Sequence, residues 1–227
     1  MVEESENEER INIMTLGNTE VGKTSFILRF TENQYQDSYL ATVGVDFKLK
    51  SVTIKEKQYN LFFYDTTGQE RYKSLSVNLI KSAHGIIIMY DITSKQSFNS
   101  VYDWIQNVKN VKGENFPMIL VGNKKDKEEE RLIAKEEGEN IAKEYKIDFF
   151  EISNKQNINV QEAGLAITNK VIEKREKEGS EGSSPAYTTS SKLSKKSAQK
   201  NVKKSCCWKS IILINEIENL EINFKLI

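Results

Sequence analysis

Residues 17–24 read GNTEVGKT. Gly17, four free positions and then Gly22-Lys23-Thr24 make the phosphate-loop spacing, which has meaning only between a strand and a helix. Both are predicted here. Ile11 to Leu16 is a short apolar run that ends at the loop, and Thr24 to Thr31 reads as a helix. In that setting the glycines permit backbone angles and close approaches that a side chain would block. Successive N–H groups across Gly17, Thr19, Glu20, Val21, Gly22 and Lys23 then point inward as an anion nest at a helix N-terminus. Lys23 is expected to reach the β- and γ-phosphates of a nucleotide, and the Thr24 hydroxyl to ligate Mg²⁺. Glu20 brings a carboxylate into this cradle. It should weaken nucleotide binding unless it points to solvent or pairs with a lysine.

Outward from the loop, apolar runs alternate with helical segments. Val43 to Lys55 and Gln58 to Asp65 read as two strands joined by a turn at Lys55 to Lys57. Gly85 to Tyr90 and Phe116 to Val121 are continuous apolar runs, as in strands buried on both faces. Ser94 or Ser97 is placed to cap a helix reaching about Val111. Arg131 to Tyr145 reads as a helix, Phe149 to Ile152 as a strand and Asn159 to Arg175 as a last helix. This order predicts an α/β fold: a mostly parallel sheet with one antiparallel hairpin and helices on both faces. Functional loops belong at the carboxyl ends of its parallel strands.

The chain has 227 residues, 38% of them apolar and 29% charged, with a formal net charge of zero. No global field therefore selects nucleic acid, and the length suits one domain plus a tail. Glu3, Glu4, Glu6, Glu8 and Glu9 make residues 1–9 an acidic terminus expected to be disordered. From Gly179 apolar residues thin out. Lys192, Lys195, Lys196, Lys200, Lys203, Lys204 and Lys209 then follow with no acid between them. The expected organisation is 1–9 acidic terminus, 10–177 folded domain, 178–209 flexible basic tail and 210–227 a separate extension. Two adjacent cysteines imply no disulfide framework and a reducing compartment. An acidic start without an apolar segment argues against a secretory signal, and no apolar run is long enough to span a membrane.

Two later stretches decide the base. Asn123-Lys124-Lys125-Asp126 follows the strand ending at Val121. A carboxylate at Asp126 can accept from guanine N1–H and the exocyclic amine. Adenine offers neither donor there, which would leave the carboxylate unpaired. Ser153-Asn154-Lys155 after the next strand is placed to support the base from its other side. Two loops suit a γ-phosphate sensor. The Thr42 hydroxyl would join Thr24 on the metal only when that phosphate is present. In Asp65-Thr66-Thr67-Gly68-Gln69, Asp65 would hold the metal through water, the Gly68 N–H would bond the γ-phosphate, and Gln69 would orient the attacking water. A P-loop ATPase or nucleoside kinase would need adenine selectivity, which Asp126 opposes.

With GxxxxGKT, Thr42, DTTGQER, NKKD and SNK in this order, residues 10–176 resemble a Ras-superfamily small GTPase. TVGVDF (42–47), GQERY (68–72), AHGIIIMYDIT (83–93) and Trp104-Ile105 make the resemblance one to the Rab family of the secretory pathway. It implies a P-loop GTPase fold of three αβα layers with six strands, one antiparallel, and five helices. It implies a monomer bound to GTP or GDP with Mg²⁺, slow hydrolysis without an activating protein, and a role in vesicle-mediated transport. Exchange factor, activating protein, GDP-dissociation inhibitor and effectors would meet the two switch loops. By position Tyr35 would pack on the guanine and Tyr39 over the phosphates. Cys206 and Cys207 would carry prenyl groups beside the basic tail, placing the chain in the cytoplasm and on the cytoplasmic face of vesicle, Golgi or plasma-membrane-pathway membranes.

The chain departs from that family at Glu20 and Asn154, where small residues are usual, at Thr67 in place of Ala, and at Tyr64 and Leu79-Ile80 in place of aromatics. Glu20 and Thr67 motivate an alternative, a GTP-locked scaffold that hydrolyses little. Twenty residues follow Cys207, at odds with prenylation near a free terminus. Within them Leu213, Ile217, Leu220, Phe224 and Ile227 have helical spacing opposite Glu216, Glu218 and Glu221. A partner-binding or self-docking helix, a disordered tail and translated non-coding sequence are the three readings of this extension.

Overall fold

The computed structural model describes residues 9–36, 45–66 and 73–181. The expectations at Tyr39, Thr42, Thr67, Gly68, Gln69, Cys206 and Cys207, for residues 1–8 and for the extension lie outside these residues, while Glu9, expected in a disordered terminus, opens the first strand. Strand β1 (Glu9–Leu16) leads into helix α1 (Lys23–Glu32). Strands β2 (Val45–Ile54) and β3 (Lys57–Thr66), helix α2 (Lys73–Ser82), strand β4 (Gly85–Asp91) and helices α3 (Lys95–Asn99) and α4 (Val101–Lys112) follow. Strand β5 (Met118–Asn123), helix α5 (Lys135–Tyr145), strand β6 (Asp148–Glu151) and helix α6 (Val160–Glu181) complete the order.

The six strands form one sheet in the order β2-β3-β1-β4-β5-β6. Only the β2–β3 pair is antiparallel. Its turn is two residues, Lys55 and Glu56, with φ of 50° and 66°. Positive φ at both central positions is the turn geometry whose twist matches a hairpin's strands.

Period-two alternation sends each strand's side chains to two cores. Ile11, Ile13, Ile87, Met89, Ile119 and Val121 face Phe26, Ile27 and Phe30 of α1 and Ala163, Ile167 and Val171 of α6. Leu16, Ile86, Ile88, Tyr90, Met118 and Leu120 face Ile80 of α2, Val101, Ile105 and Val108 of α4, and Ile141 of α5. All seven residues of β4 are buried, which explains the unbroken apolar run in the sequence.

Three expectations change. Among the described residues there are six α-helices, not five, because the helix expected from Ser94 to Val111 divides at Ser100. Ser94 caps the first piece by accepting the Ser97 N–H at 3.3 Å. The helix expected from Arg131 begins only at Lys135. Lys125–Glu130 is a 3₁₀ segment, and Arg131 is held in a two-pronged pair with Glu151 at 2.7 and 3.0 Å. The Leu132 and Ile133 N–H groups donate to the Ile92 carbonyl, and Ile133 enters the core. That stretch is spent on crossing the sheet edge before a helix can start. The last helix runs past Arg175 to Glu181.

Candidate nucleotide site

The carboxyl ends of β1, β3, β4, β5 and β6 share one edge because all five run the same way. The crossovers there carry most of the residues singled out from the sequence. Gly17 and Gly22 take φ of 143° and 96°. A Cβ on Gly17 would strike the Met89 carbonyl, and one on Gly22 would strike the Asn123 and Asn154 carboxamides. Both glycines are therefore required by packing as well as by angle.

Lys23 is buried, and its Nζ donates to the Gly17 carbonyl at 3.0 Å and the Asn18 carbonyl at 2.7 Å. Its charge is thereby held over the mouth of the loop. The Thr24 hydroxyl donates to Asp65 Oδ2 at 2.6 Å, across the gap between α1 and β3. Two hard oxygen ligands from two elements suit Mg²⁺, which keeps several waters and takes few protein groups. Thr19 and Glu20 are exposed, and Val21 is in the core. Glu20 has φ of 64°. With the residue exposed, its carboxylate has solvent to point into.

Two carboxamides fasten the base side to this loop. Asn123 Nδ2 donates to the Val21 carbonyl at 2.8 Å, and Asn154 Nδ2 donates to the Gly22 carbonyl at 2.9 Å. Ser153 Oγ donates to Asp126 Oδ1 at 2.5 Å, orienting that carboxylate. Lys124, with φ of 69°, pairs through its ammonium with Asp91 at 2.7 Å. Lys155 is exposed. Tyr35 lies beside the Arg29 guanidinium, 5.5 Å from its ring centroid. Asn154 Oδ1 is buried with no partner among the described residues.

Sequence reasoning missed three contributors. Arg29 Nε donates to the Asn154 carbonyl at 2.9 Å and Nη2 to the Lys155 carbonyl at 3.3 Å, so α1 supports the 153–155 turn. Asp91 receives Lys124. Asn18 carries one of the two carbonyls that hold Lys23. Arg29 and Asp91 have no signature in the chain, because they act through contacts between residues remote in sequence, and Asn18 occupies a free position of the loop spacing. His84 accepts the Asn12 N–H on Nδ1 at 2.8 Å and is structural.

A phosphate loop braced by an Asn-Lys-x-Asp strand end, on a doubly wound sheet, defines a P-loop nucleotide-binding protein. The chain belongs to the Ras family, whose model matches residues 12–173. It is 42% identical over 162 residues to Ras-related protein Rab-3B of Homo sapiens, covering 71% of this chain and 74% of that one. It is 43% identical over 150 residues to Ras-related protein Rab-3C of Bos taurus, covering 66% of each chain. Over 176 residues it is 39% identical to Ras-related protein Rab-3A of Homo sapiens, covering 78% and 80%. The chain is a Rab-like small GTPase, a guanine-nucleotide switch of vesicle transport that hydrolyses GTP to GDP. This kinship does not favour the scaffold alternative.

Proposed function

We propose that the nest at Gly17 to Thr24 holds the triphosphate and that Asp126, with Ser153 behind it, selects guanine. The observation that carries this reading is the pair of carboxamide bonds from Asn123 and Asn154 to the Val21 and Gly22 carbonyls. They make the base loops and the phosphate loop one unit, so base identity and phosphate grip are coupled. Lys23 brings positive charge to the β- and γ-phosphates. Thr24 and, through water, Asp65 hold Mg²⁺, which supplies further charge neutralisation when bound. Thr42 and the Gly68 N–H respond to the γ-phosphate. Gln69 orients the water that attacks it, and no general base is needed because positioning and charge stabilisation supply the rate. Tyr35 and Tyr39 flank the base and phosphates.

The working unit is the domain of residues 10–177. Regulators and effectors meet the two switch loops. The basic tail and Cys206-Cys207 bring the chain to the cytoplasmic face of a vesicle or other intracellular membrane where the terminus is processed. Among the described residues no helix is long and apolar enough to cross a membrane. The test is single-turnover GTP hydrolysis by purified protein alongside Gln69→Leu. The expected result is a slow rate that the variant lowers further and an activating protein raises. An unchanged rate in the variant would remove Gln69 from the mechanism.

A further inference from the structure

The phosphate loop has four free positions, and two of them face solvent. Val21 is anchored by the core. Asn18 is anchored differently, from outside the nucleotide motifs altogether. Its Oδ1 accepts the indole N–H of Trp104 at 3.1 Å, and its Nδ2 donates to Ser100 Oγ at 3.1 Å. An indole can only donate, so this contact fixes which end of the carboxamide is oxygen and leaves the amide to face Ser100. Ser100 is in turn tied down, its hydroxyl donating to the Gln96 carbonyl at 3.1 Å. The main-chain carbonyl of this same Asn18 receives Lys23 Nζ at 2.7 Å. One residue therefore connects the start of α4 to the cation of the phosphate site.

We infer that Trp104 is a positioning residue for nucleotide retention, acting through Asn18 on the Lys23 side of the phosphate loop. The inference rests on the nucleotide reading above and extends it to a side chain that touches no nucleotide. The carboxamide is held at both ends. Its loss of the indole frees rotation about the side chain and relaxes the peptide whose carbonyl steers Lys23. The next two residues are exposed, with Glu20 in the left-handed region, so core packing does not hold that peptide from the other side. The indole and Asn18 also wall a cavity of about 650 Å³ between α2 and α4, with Val77, Ile80 and Asn107. Trp104 emission should thus sense the loop from a wet, remote surface.

The experiment uses the full chain carrying Trp208→Phe, which leaves Trp104 as the single tryptophan. Release of a fluorescent GDP analogue is measured at fixed Mg²⁺ for Trp104→Phe, which keeps the ring and removes the N–H donor, for Asn18→Ala, and for the double variant. Trp104→Phe is expected to release the analogue about fivefold faster, the effect of one lost hydrogen bond. The double variant should release it no faster than Asn18→Ala alone. Trp104 emission should shift when EDTA strips the nucleotide, and Asn18→Ala should abolish that shift. Equal release by Trp104→Phe and its parent, or additive effects in the double variant, would overturn the inference. Should Trp104→Phe fold poorly, the emission comparison in Asn18→Ala decides alone. A parent chain that retains a labelled ADP as well as the GDP analogue would instead overturn the guanine reading, a separate failure.

Discussion

The Thr24 hydroxyl and the Asp65 carboxylate, forty-one residues apart in the chain, meet at 2.6 Å on the edge where α1 begins and β3 ends. Two oxygens brought together from separate crossovers suit a hard cation that takes few protein groups and leaves the rest to water and phosphate. Thr24→Ala is therefore expected to weaken Mg²⁺ dependence at least about tenfold, the range for metal sites that lose a supporting group. GDP release measured across a Mg²⁺ titration checks this. An unchanged Mg²⁺ midpoint would remove Thr24 from the metal site.

Asp126 is oriented by Ser153 at 2.5 Å. On the proposed guanine reading, Asp126→Asn replaces one accepting oxygen with a donating amide and costs both charge-assisted bonds to the base. At about 1.5–3 kcal/mol each, this lowers GTP affinity by roughly two to four orders of magnitude. Xanthine carries a carbonyl where guanine has its amine, so xanthosine triphosphate should gain. Calorimetric titration of both nucleotides into both proteins reads the exchange of preference, and a variant that still favours GTP would refute the assignment.

Glu20 combines an exposed side chain with φ of 64°. Charge and backbone strain predict different variants. Glu20→Gly relieves the left-handed angle and should raise stability by up to about 1 kcal/mol, less what the glycine adds to unfolded-chain entropy. Glu20→Ala keeps the strain and removes the charge. Since that charge is in water, release of GDP should stay within about twofold of the parent. Urea midpoints and release rates of the two variants separate the effects. A large slowing in Glu20→Ala would mean the carboxylate does act on the phosphates.

His84 is held down to a pKa of about 4, first by burial and then by the nearby Arg175, Lys112 and Arg10 cations. Its Nδ1 also accepts the Asn12 N–H, which a proton there would abolish. The unfolded histidine titrates near pH 6.5. Above that value neither state binds the proton and stability is full. Between about 6.5 and 4 only the unfolded chain takes it up, so stability falls with acidification, and below about 4 the loss levels off. Allowing for partial exposure, the loss is about 1–2 kcal/mol. His84→Asn keeps an acceptor for Asn12 without the titration. Its urea midpoint should fall less than the parent's between pH 7 and pH 5, and parallel profiles would refute the attribution.

The motifs were legible because each places special residue types at fixed spacing. Gly17, Gly22, Lys23 and Thr24 announce a phosphate loop, and Asn123 and Asp126 announce a base reader. Arg29 and Asn18 were not legible, since an arginine in a helix or an asparagine in a loop gains meaning only from what packs beside it. The late start of α5 was hidden for the same reason. Arg131 looks helical by pattern, but its guanidinium pairs with Glu151 and Glu128, and the next two N–H groups are bonded to the Ile92 carbonyl.

Periodicity and apolar runs by themselves determined the succession of strands and helices along the chain, because alternation and helical spacing are local consequences of backbone geometry, and that succession implies a mostly parallel sheet with a functional edge. The tertiary structure decided how the pieces of the site are fastened to one another. Asn154 grips Gly22, Arg29 carries the 153–155 turn, and Trp104 holds Asn18. These are hydrogen bonds between residues 86 to 132 positions apart. Their existence depends on which surfaces the fold brings into hydrogen-bond range, a quantity that no local pattern in the chain encodes.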